Sequence, residues 1–359
     1  MFISGTGSSG LAVIVDARTK TCADIEGCLE FWSARAYFGD ARWKTVLRVA
    51  LRDYNEPPLD IRAVRALKPE VDAVLKERNI NTIVLVQTST YPGEIVRHSA
   101  WNMYGRAGSP FKWAGCVWQE DGRYICPMLN PHSYEHVYEW LIRRWFHQAY
   151  AVAQGRLRPY IWPTLHTHVS DEMLCALEDI AANPRDPVAV DIETNMGGGI
   201  ITAIGFSNSA ATVSVPWDEF QVSGTNDIEP GLASYPQGSA IERQVRQLLA
   251  SPQPLIFHNG AFDIFELAKR DVECANFAYD TLLMHRVVFP QYKHGLQFCA
   301  ATEITVEPWK CFWKPPTAVR ASRGDDIWLS DPRAMHRYNC QDALMTYEIY
   351  KSLKWKVGI

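Results

Sequence analysis

The chain has 359 residues, of which 47% are hydrophobic and 21% charged, and its formal net charge is −4. This length fits two domains, and this composition excludes a chain dominated by long disordered segments. The net charge excludes a global basic attraction to nucleic acid, so such contacts would depend on local patches such as residues 143–144 and 156–158. The nine cysteines include no C-x-x-C pair, which argues against a disulfide framework and against a zinc site.

Strand and helix patterns alternate through residues 1–150, which we predict to form a first unit. MFISG and LAVIVDA read as strands, and INTIVLVQTS reads as a buried strand. Helices are expected at residues 41–54, 63–79 and 94–104, followed by a strand–turn–strand. This alternation predicts an α/β sandwich with a mostly parallel sheet. The glycine- and serine-rich loop GTGSSG would be either a phosphate cradle or a flexible turn. No Lys-Ser/Thr follows it, which argues against the phosphate cradle.

Part of this first unit resembles the second half of uracil-DNA glycosylases. The resemblance rests on INTIVLVQTSTYPGEIV, on the turn at residues 111–115 and on the segment LNPHSY at residues 129–134. Asn130 stands where that family has its catalytic histidine, unless His132 substitutes for it. The acidic water-activating motif of the family also has no clear match. We therefore expect a degenerate domain that holds DNA or a partner protein rather than one that excises bases.

A helix at residues 139–150 is expected to close the first unit, and residues 151–168 read as a linker. The second unit, residues 169–359, is predicted to begin with a helix capped by Ser170. An apolar strand then delivers Asp191 and Glu193, whose spacing puts both carboxylates on one face. Two adjacent acids at the end of a buried strand repel each other unless a cation lies between them, and oxygen ligands suit magnesium or manganese. The strand continues through three glycines into IITAIGFS, which indicates a hairpin.

Two later stretches bring further acids. In PLIFHNGAFDIFEL a buried strand ends and a helix carrying Asp263 begins. MHRYNCQDALMTYEIYKSL has helical periodicity and places Tyr338 and Asp342 one turn apart on one face. The second unit therefore supplies four acids and one tyrosine from three separate elements.

This set resembles the DEDD superfamily of 3′–5′ exonucleases in its tyrosine-bearing branch, and within it the proofreading domains of family A DNA polymerases. Three motifs carry the resemblance in order: D-x-E, N-x-x-[FY]-D and Y-x-x-x-D. The matching residues are Asp191, Glu193, Asn259, Phe262, Asp263, Tyr338 and Asp342. Asp280 at the start of one helix and the run KHGLQ at the start of another fit the same family. The resemblance implies an RNase H-like mixed sheet flanked by helices.

The resemblance also implies roles for these residues and a cofactor of two divalent ions, Mg²⁺ or Mn²⁺. Asp191 would bridge the two ions, Glu193 and Asp342 would complete the tighter one, and Asp263 would hold the second. Tyr338 would orient the attacking water. The family contacts the terminal nucleotide at positions that correspond here to Thr194, Met196, Asn259 and Phe262.

The function implied is metal-dependent removal of nucleotides from single-stranded DNA 3′ ends, in proofreading or repair, with a separate DNA polymerase as a candidate partner. The alternatives are an RNA 3′-processing exonuclease similar to ribonuclease D, a non-catalytic polymerase- or nucleic-acid-binding module, and a bifunctional enzyme that also removes uracil. The presence of all four acids argues against a purely binding module. The substituted histidine position argues against uracil removal.

Two further expectations concern a loop and the location of the protein. Residues 307–331 would form either a lid or DNA-contacting loop or a solvated loop. Its candidate phosphate contacts are Lys310, Lys314, Arg320 and Arg323. We see no signal-peptide pattern and no run of ~20 apolar residues, so we expect no membrane span. The expected location is cytoplasmic, in a bacterial cell or a virus-infected host cell.

Overall fold

The computed structural model describes residues 1–17, 35, 39–52, 61–86, 101–104, 113–129, 131–194, 200–218, 238–310 and 332–359. The described chain divides into two compact units. The first comprises residues 1–160 and 304–308, and the second comprises residues 161–303 and 309–359. Among the described residues, no helix combines the length and the apolar character that crossing a membrane requires.

The first unit contains a six-stranded sheet. Its strands are β1 (Phe2–Ser4), β2 (Leu11–Ala17), β3 (Leu47–Arg52), β4 (Thr82–Val86), β5 (Trp118–Glu120) and β6 (Arg123–Met128). They lie in the order β1-β3-β2-β4-β6-β5. The four central strands are parallel, and only the two edge strands run antiparallel to their neighbours. The predicted α/β architecture with a mostly parallel sheet is therefore confirmed.

The helices of this unit fall between and after the strands. Those in the described residues are α1 (Asp40–Trp43), α2 (Ile61–Ala66), α3 (Lys68–Glu77), α4 (Trp101–Tyr104) and α5 (Pro131–Ala153), the last with non-helical backbone at Tyr138. Asn130, the turn residues Phe111 and Lys112, and the side chain of His132 lie outside the described residues. The resemblance to uracil-DNA glycosylases therefore stays a prediction.

The helix predicted at residues 41–54 is wrong for most of its length. Only Asp40–Trp43 is helical, and Leu47–Arg52 is a central strand paired with β1 and β2. Val46 and Leu47 with Ala50 and Leu51 also fit a helical period, which explains the error. The segment forms a strand because its place between β1 and β2 buries both of its faces. Leu47, Val49 and Ala50 are all fully buried there.

The GTGSSG loop is a tight turn, and several of its backbone N–H groups donate within the unit. The backbone N–H of Ser9 donates to the Thr45 carbonyl oxygen at 3.1 Å, and that of Gly10 donates to the Gly7 carbonyl oxygen at 2.9 Å. Gly5 has φ of 80°, and a Cβ there would lie 2.0 Å from the Val46 carbonyl oxygen. The glycine is therefore needed for a close backbone approach, which favours the turn over the phosphate cradle.

The second unit contains a five-stranded mixed sheet. Its strands are β7 (Val188–Thr194), β8 (Ile201–Ser207), β9 (Thr212–Pro216), β10 (Leu255–Phe257) and β11 (Phe277–Asp280). The order is β11-β10-β7-β8-β9. β7, β8 and β9 form an antiparallel meander, whereas β10 is parallel to β7 and β11 is parallel to β10. Together with the flanking helices, this confirms the predicted RNase H-like mixed sheet.

Among the described residues of this unit, six helices flank the sheet. They are α6 (Asp171–Ala182), α7 (Ala240–Leu249), α8 (Ala261–Ala268), α9 (Thr281–Val288), α10 (Leu296–Glu303) and α11 (Pro332–Val357). As predicted, the Ser170 side chain caps α6, accepting from the Met173 N–H at 3.3 Å, and Asp280 caps α9. Apolar residues of α6, α7 and α8 form one core with Val188, Val190 and Ile192 of β7.

The alternation along β7 leaves its other face to α11. Val190 and Ile192 enter the core beneath α6 and α7, so Asp191 and Glu193 point to the opposite side. α11 packs across β7, β8 and β9 on that side. The pleat of one strand thus separates an apolar core from a surface that carries carboxylates.

Candidate metal centre

Three carboxylates from two elements converge beside β7. Asp191 and Glu193 come from the strand, and Asp342 comes from α11. One ligand oxygen from each residue lies within 4.8 Å of the other two. Asp342 is 3% exposed, and the other two are partly buried. Oxygen donors at this separation fit a hard divalent cation such as Mg²⁺ or Mn²⁺.

Asn339 on α11 fixes the position of Asp191. Its side-chain Nδ2 donates to the Asp191 carboxylate and to the Asp191 main-chain carbonyl, each at 3.0 Å. Its Oδ1 accepts from the Ser214 hydroxyl at 2.7 Å. Gly205 lies opposite Asp191 in the β7–β8 pairing, and a Cβ there would lie 2.7 Å from Asn339 Oδ1. The missing side chain therefore makes room for the amide that orients the acid.

Asp263 stands next to this group rather than inside it. It lies in the first turn of α8 and is 8% exposed. Its Oδ1 accepts from the backbone N–H of Ile192 at 3.1 Å, which ties it to β7 between Asp191 and Glu193. Burial, with the charges of Asp280 and Asp342, raises the pKa of Asp263 to about 7, and the Ile192 hydrogen bond opposes that rise.

The site carries an excess of negative charge. Burial raises the pKa of Asp191 well above its ordinary value, and the neighbouring charges of Asp342, Glu193 and Asp263 raise it further. Burial and the Asp342 charge also raise the pKa of the Tyr338 phenol. Carboxyl groups whose ionisation is opposed by burial and by neighbouring acids are the groups that a divalent cation would stabilise. The donor set therefore fits the metal that the sequence predicts.

Besides Asn339, Trp309 and Lys310 belong to this site and were not predicted as site residues from the sequence. Trp309 Nε1 donates to Asp342 Oδ1 at 2.5 Å. The Lys310 ammonium bonds to Asp342 Oδ2 and donates to the Tyr338 hydroxyl at 3.1 Å. The sequence had suggested Lys310 only as a phosphate contact in a loop, because nothing in PWKCFWKPP tells which element it faces. The other three basic residues of that loop lie outside the described residues.

Asn339 could have been found from the sequence. It follows Tyr338 directly and precedes Asp342 by three residues on one helix, so its side chain shares the face of the acid. A polar amide beside two motif residues on a buried helix needs hydrogen-bond partners. The motif does not point to it, because Y-x-x-x-D specifies only the first and the fifth residue.

The predicted substrate contacts are placed unevenly. Thr194 is partly buried at the end of β7, and Met196 lies outside the described residues. Asn259 is exposed with φ of 66°, and its backbone N–H donates to Asp280 at 3.1 Å. Phe262 precedes Asp263 on α8 and is 47% exposed. An aromatic face open to solvent beside Asp263 is available for stacking on a base.

Comparisons with known proteins add a set of weak structural likenesses. No family model matches the chain, and no curated protein matches it. The solved structures include the polymerase domain of Pol1 from M. smegmatis in complex with DNA primer–template and dNTP, with 15% identity over 54% of this chain and 27% of that one, at a TM-score of 0.34. RNase D from Trypanosoma brucei in complex with GMP shares 14% identity over 55% and 57%, at a TM-score of 0.39.

RNase D from Escherichia coli, a structured-RNA-processing exoribonuclease, shares 16% identity over 55% of this chain and 45% of that chain, at a TM-score of 0.31. The match spans less than two thirds of each of these three proteins. TM-scores this low carry no argument about function. The functional proposal therefore rests on the geometry of the site.

Proposed function

We propose that the second unit is a metal-dependent 3′–5′ exonuclease of the DEDD type. The observation that supports this most strongly is the meeting of Asp191, Glu193 and Asp342 within 4.8 Å, with Asp263 bonded to the same strand. Tyr338 lies one turn from Asp342 on α11, where the motif requires it. Four acids that repel one another are costly to bury unless they serve a cation.

The three converging carboxylates would hold one divalent ion, and Asp191 with Asp263 would hold a second. When bound, such ions polarise the attacking water and neutralise the charge that develops at a phosphodiester. The chain supplies the geometry for this. Asn339 holds the Asp191 carboxylate by a hydrogen bond, and the Ile192 N–H holds Asp263 against the strand. The ligands are therefore held by hydrogen bonds that do not depend on the metal.

Tyr338 would orient the attacking water rather than take its proton. The raised pKa of the phenol keeps it protonated near neutral pH, so it is a hydrogen-bond donor and a poor base. Its oxygen accepts from the Lys310 ammonium, which also bonds to Asp342 and so keeps the hydroxyl close to the proposed metal ligands. The exposed ring of Phe262 would stack on the terminal base, which requires no particular sequence.

The substrate that we propose is the 3′ end of single-stranded DNA, as in proofreading or repair, with a separate DNA polymerase as candidate partner. The support is the order of the three motifs, which resembles that of polymerase proofreading domains. RNA 3′ processing uses the same acids, and one or two contacts to a 2′-hydroxyl would separate the two substrates. A cleavage assay on matched DNA and RNA strands distinguishes the two substrates.

The test uses the purified chain with Mg²⁺ or Mn²⁺ and a 5′-labelled single strand, in DNA and in RNA form. A ladder that shortens from the 3′ end and vanishes with EDTA is the expected result. A copy with a phosphorothioate at its last linkage should resist shortening and so report the polarity. Shortening of RNA alone would replace the DNA assignment with RNA processing. No shortening of either strand would refute the nuclease proposal.

Tyr338→Phe should lower the rate of cleavage by about 10- to 100-fold, which corresponds to the loss of one hydrogen bond to the reacting water. The Michaelis constant and the affinity for Mn²⁺ should stay near their wild-type values, because the carboxylates are unchanged. Tyr347→Phe is the matched control, since Tyr347 lies on the same helix and bonds to Asp186 at 2.8 Å. Equal losses in the two variants would show a general effect on α11 instead.

A further inference from the structure

A lysine ammonium already lies among the acids of the proposed metal centre. Lys310 Nζ bonds to Asp342 Oδ2 and donates to the Tyr338 hydroxyl at 3.1 Å. It also lies 5.1 Å from the centroid of the Tyr338 ring, within the range of a cation–π contact. The Lys310 side chain is 26% exposed, so this is a largely desolvated ion pair rather than a surface one.

The local structure holds this lysine in place. The backbone N–H of Lys310 donates to Gln297 Oε1 of α10 at 3.0 Å. Its neighbour Trp309 is 2% exposed and packs edge-on against Trp162, with ring centroids 5.9 Å apart. The hydrogen bond to Gln297 and the buried Trp309 fix the backbone at Lys310, so the fold itself directs the ammonium to Asp342.

Both oxygens of Asp342 are therefore occupied by this pair of residues. Trp309 Nε1 takes Oδ1 at 2.5 Å, and the Lys310 ammonium takes Oδ2. An uncharged indole N–H can share a carboxylate with a metal ion, as ligand-supporting donors commonly do. For an ammonium, sharing the carboxylate with a metal ion costs more free energy, because the two cations repel each other at close range in a poorly solvated site.

We propose that Lys310 is the resident counter-ion of this centre and competes with the divalent ion for Asp342. The inference rests on the proposed metal site. In the metal-free protein the ammonium neutralises Asp342 and holds Tyr338 in position. When the ion binds, Lys310 would leave Asp342 Oδ2, so that a divalent cation takes the place of a singly charged ammonium at that oxygen. Lys310 is thus a positioning residue that sets the affinity of the site for metal.

The experiment measures Mn²⁺ binding by calorimetry on the whole protein, without substrate. Lys310→Met should bind Mn²⁺ about tenfold more tightly than the wild type, a difference of about 1.4 kcal/mol. Lys310→Arg keeps the charge and should stay near the wild-type affinity. Lys351→Met is the matched control, because Lys351 lies on α11 and pairs with Glu348 away from the acids. Its affinity should equal that of the wild type.

Affinity in Lys310→Met that is equal to or weaker than wild type would overturn the inference, and so would equally tight binding by Lys310→Arg. Lys310→Gln replaces Lys310→Met if circular dichroism shows that the latter is unfolded, since Gln keeps a donor for Tyr338. The metal site itself is tested separately by Asp191→Asn, which should lose Mn²⁺ binding. Failure of both the wild type and the Lys310 variants to bind Mn²⁺ would instead remove the proposed function together with the inference.

Discussion

Replacing Asp191 with asparagine is expected to abolish Mn²⁺ binding and to lower 3′-end cleavage by at least about a thousandfold. The charges of Asp342, Glu193 and Asp263 all raise the pKa of Asp191, so this acid interacts with each of the other three. A neutral amide at that position removes the ligand that both proposed ions would share. Calorimetry and the oligonucleotide assay measure the two effects independently.

The same substitution should leave the fold intact and stabilise it in EDTA. The side-chain oxygen of the introduced asparagine can still accept from Asn339, so the hydrogen bond observed at 3.0 Å is kept. The repulsion among the buried carboxylates falls, which should raise the free energy of unfolding by about 1–2 kcal/mol. Thermal denaturation in EDTA checks this. Asp179→Asn, at an exposed position on α6, should change neither activity nor metal binding.

An active Asp191→Asn variant would refute the assignment of this residue as a shared ligand. A variant that is inactive but also melts earlier in EDTA would show that Asp191 stabilises the fold instead of destabilising it by charge repulsion. Loss of activity with a higher melting temperature is the combination that only a functional acid cluster predicts. Such a trade between stability and activity is characteristic of catalytic sites.

The metal-free protein is expected to lose stability as the pH rises from about 4 to about 7. The pKa of Asp263 is about 7 in the folded chain, chiefly because the carboxyl is buried. Its unfolded value is about 3.9. Between these values the folded state binds more protons than the unfolded state, so the free energy of unfolding falls with increasing pH. The full loss is on the order of 4 kcal/mol for one such group.

Denaturation in urea at several pH values, in EDTA, measures this slope. Asp263→Asn keeps an acceptor for the Ile192 N–H and should remove much of the pH dependence. With saturating Mn²⁺ the slope should reverse over the same range, because the ion binds only the ionised carboxylates and stabilises the folded state more as the pH rises. A wild-type slope in EDTA that is flat or rising would contradict the electrostatic description of the site.

The sequence was sufficient to predict the architecture of the second unit because its patterns are local. Val188, Val190 and Ile192 alternate with two acids, and the strand they form has the predicted two faces. The cap at Ser170 and the cap at Asp280 follow from side chains that bond to nearby backbone N–H groups. The grouping of Asp191, Glu193 and Asp342 required the motif resemblance, since the first two lie far from the last along the chain.

What the sequence could not predict depends on distant packing. The stretch after Trp43 has apolar residues at both helical and strand spacing, and only its place between two strands decides the outcome. The direction of the Lys310 side chain is likewise not predictable from the sequence. Whether a lysine faces water, phosphate or a carboxylate depends on Trp309 being buried beside it, and nothing in the neighbouring residues indicates that burial.

The position of α11 has a consequence for biosynthesis. This helix covers β7, β8 and β9 and carries both Tyr338 and Asp342. Every described strand of the sheet leaves the ribosome before Pro332–Val357 does. The nascent chain can therefore pair its sheet while still lacking one of the three converging carboxylates. The proposed metal site is therefore completed only when α11 packs onto the sheet.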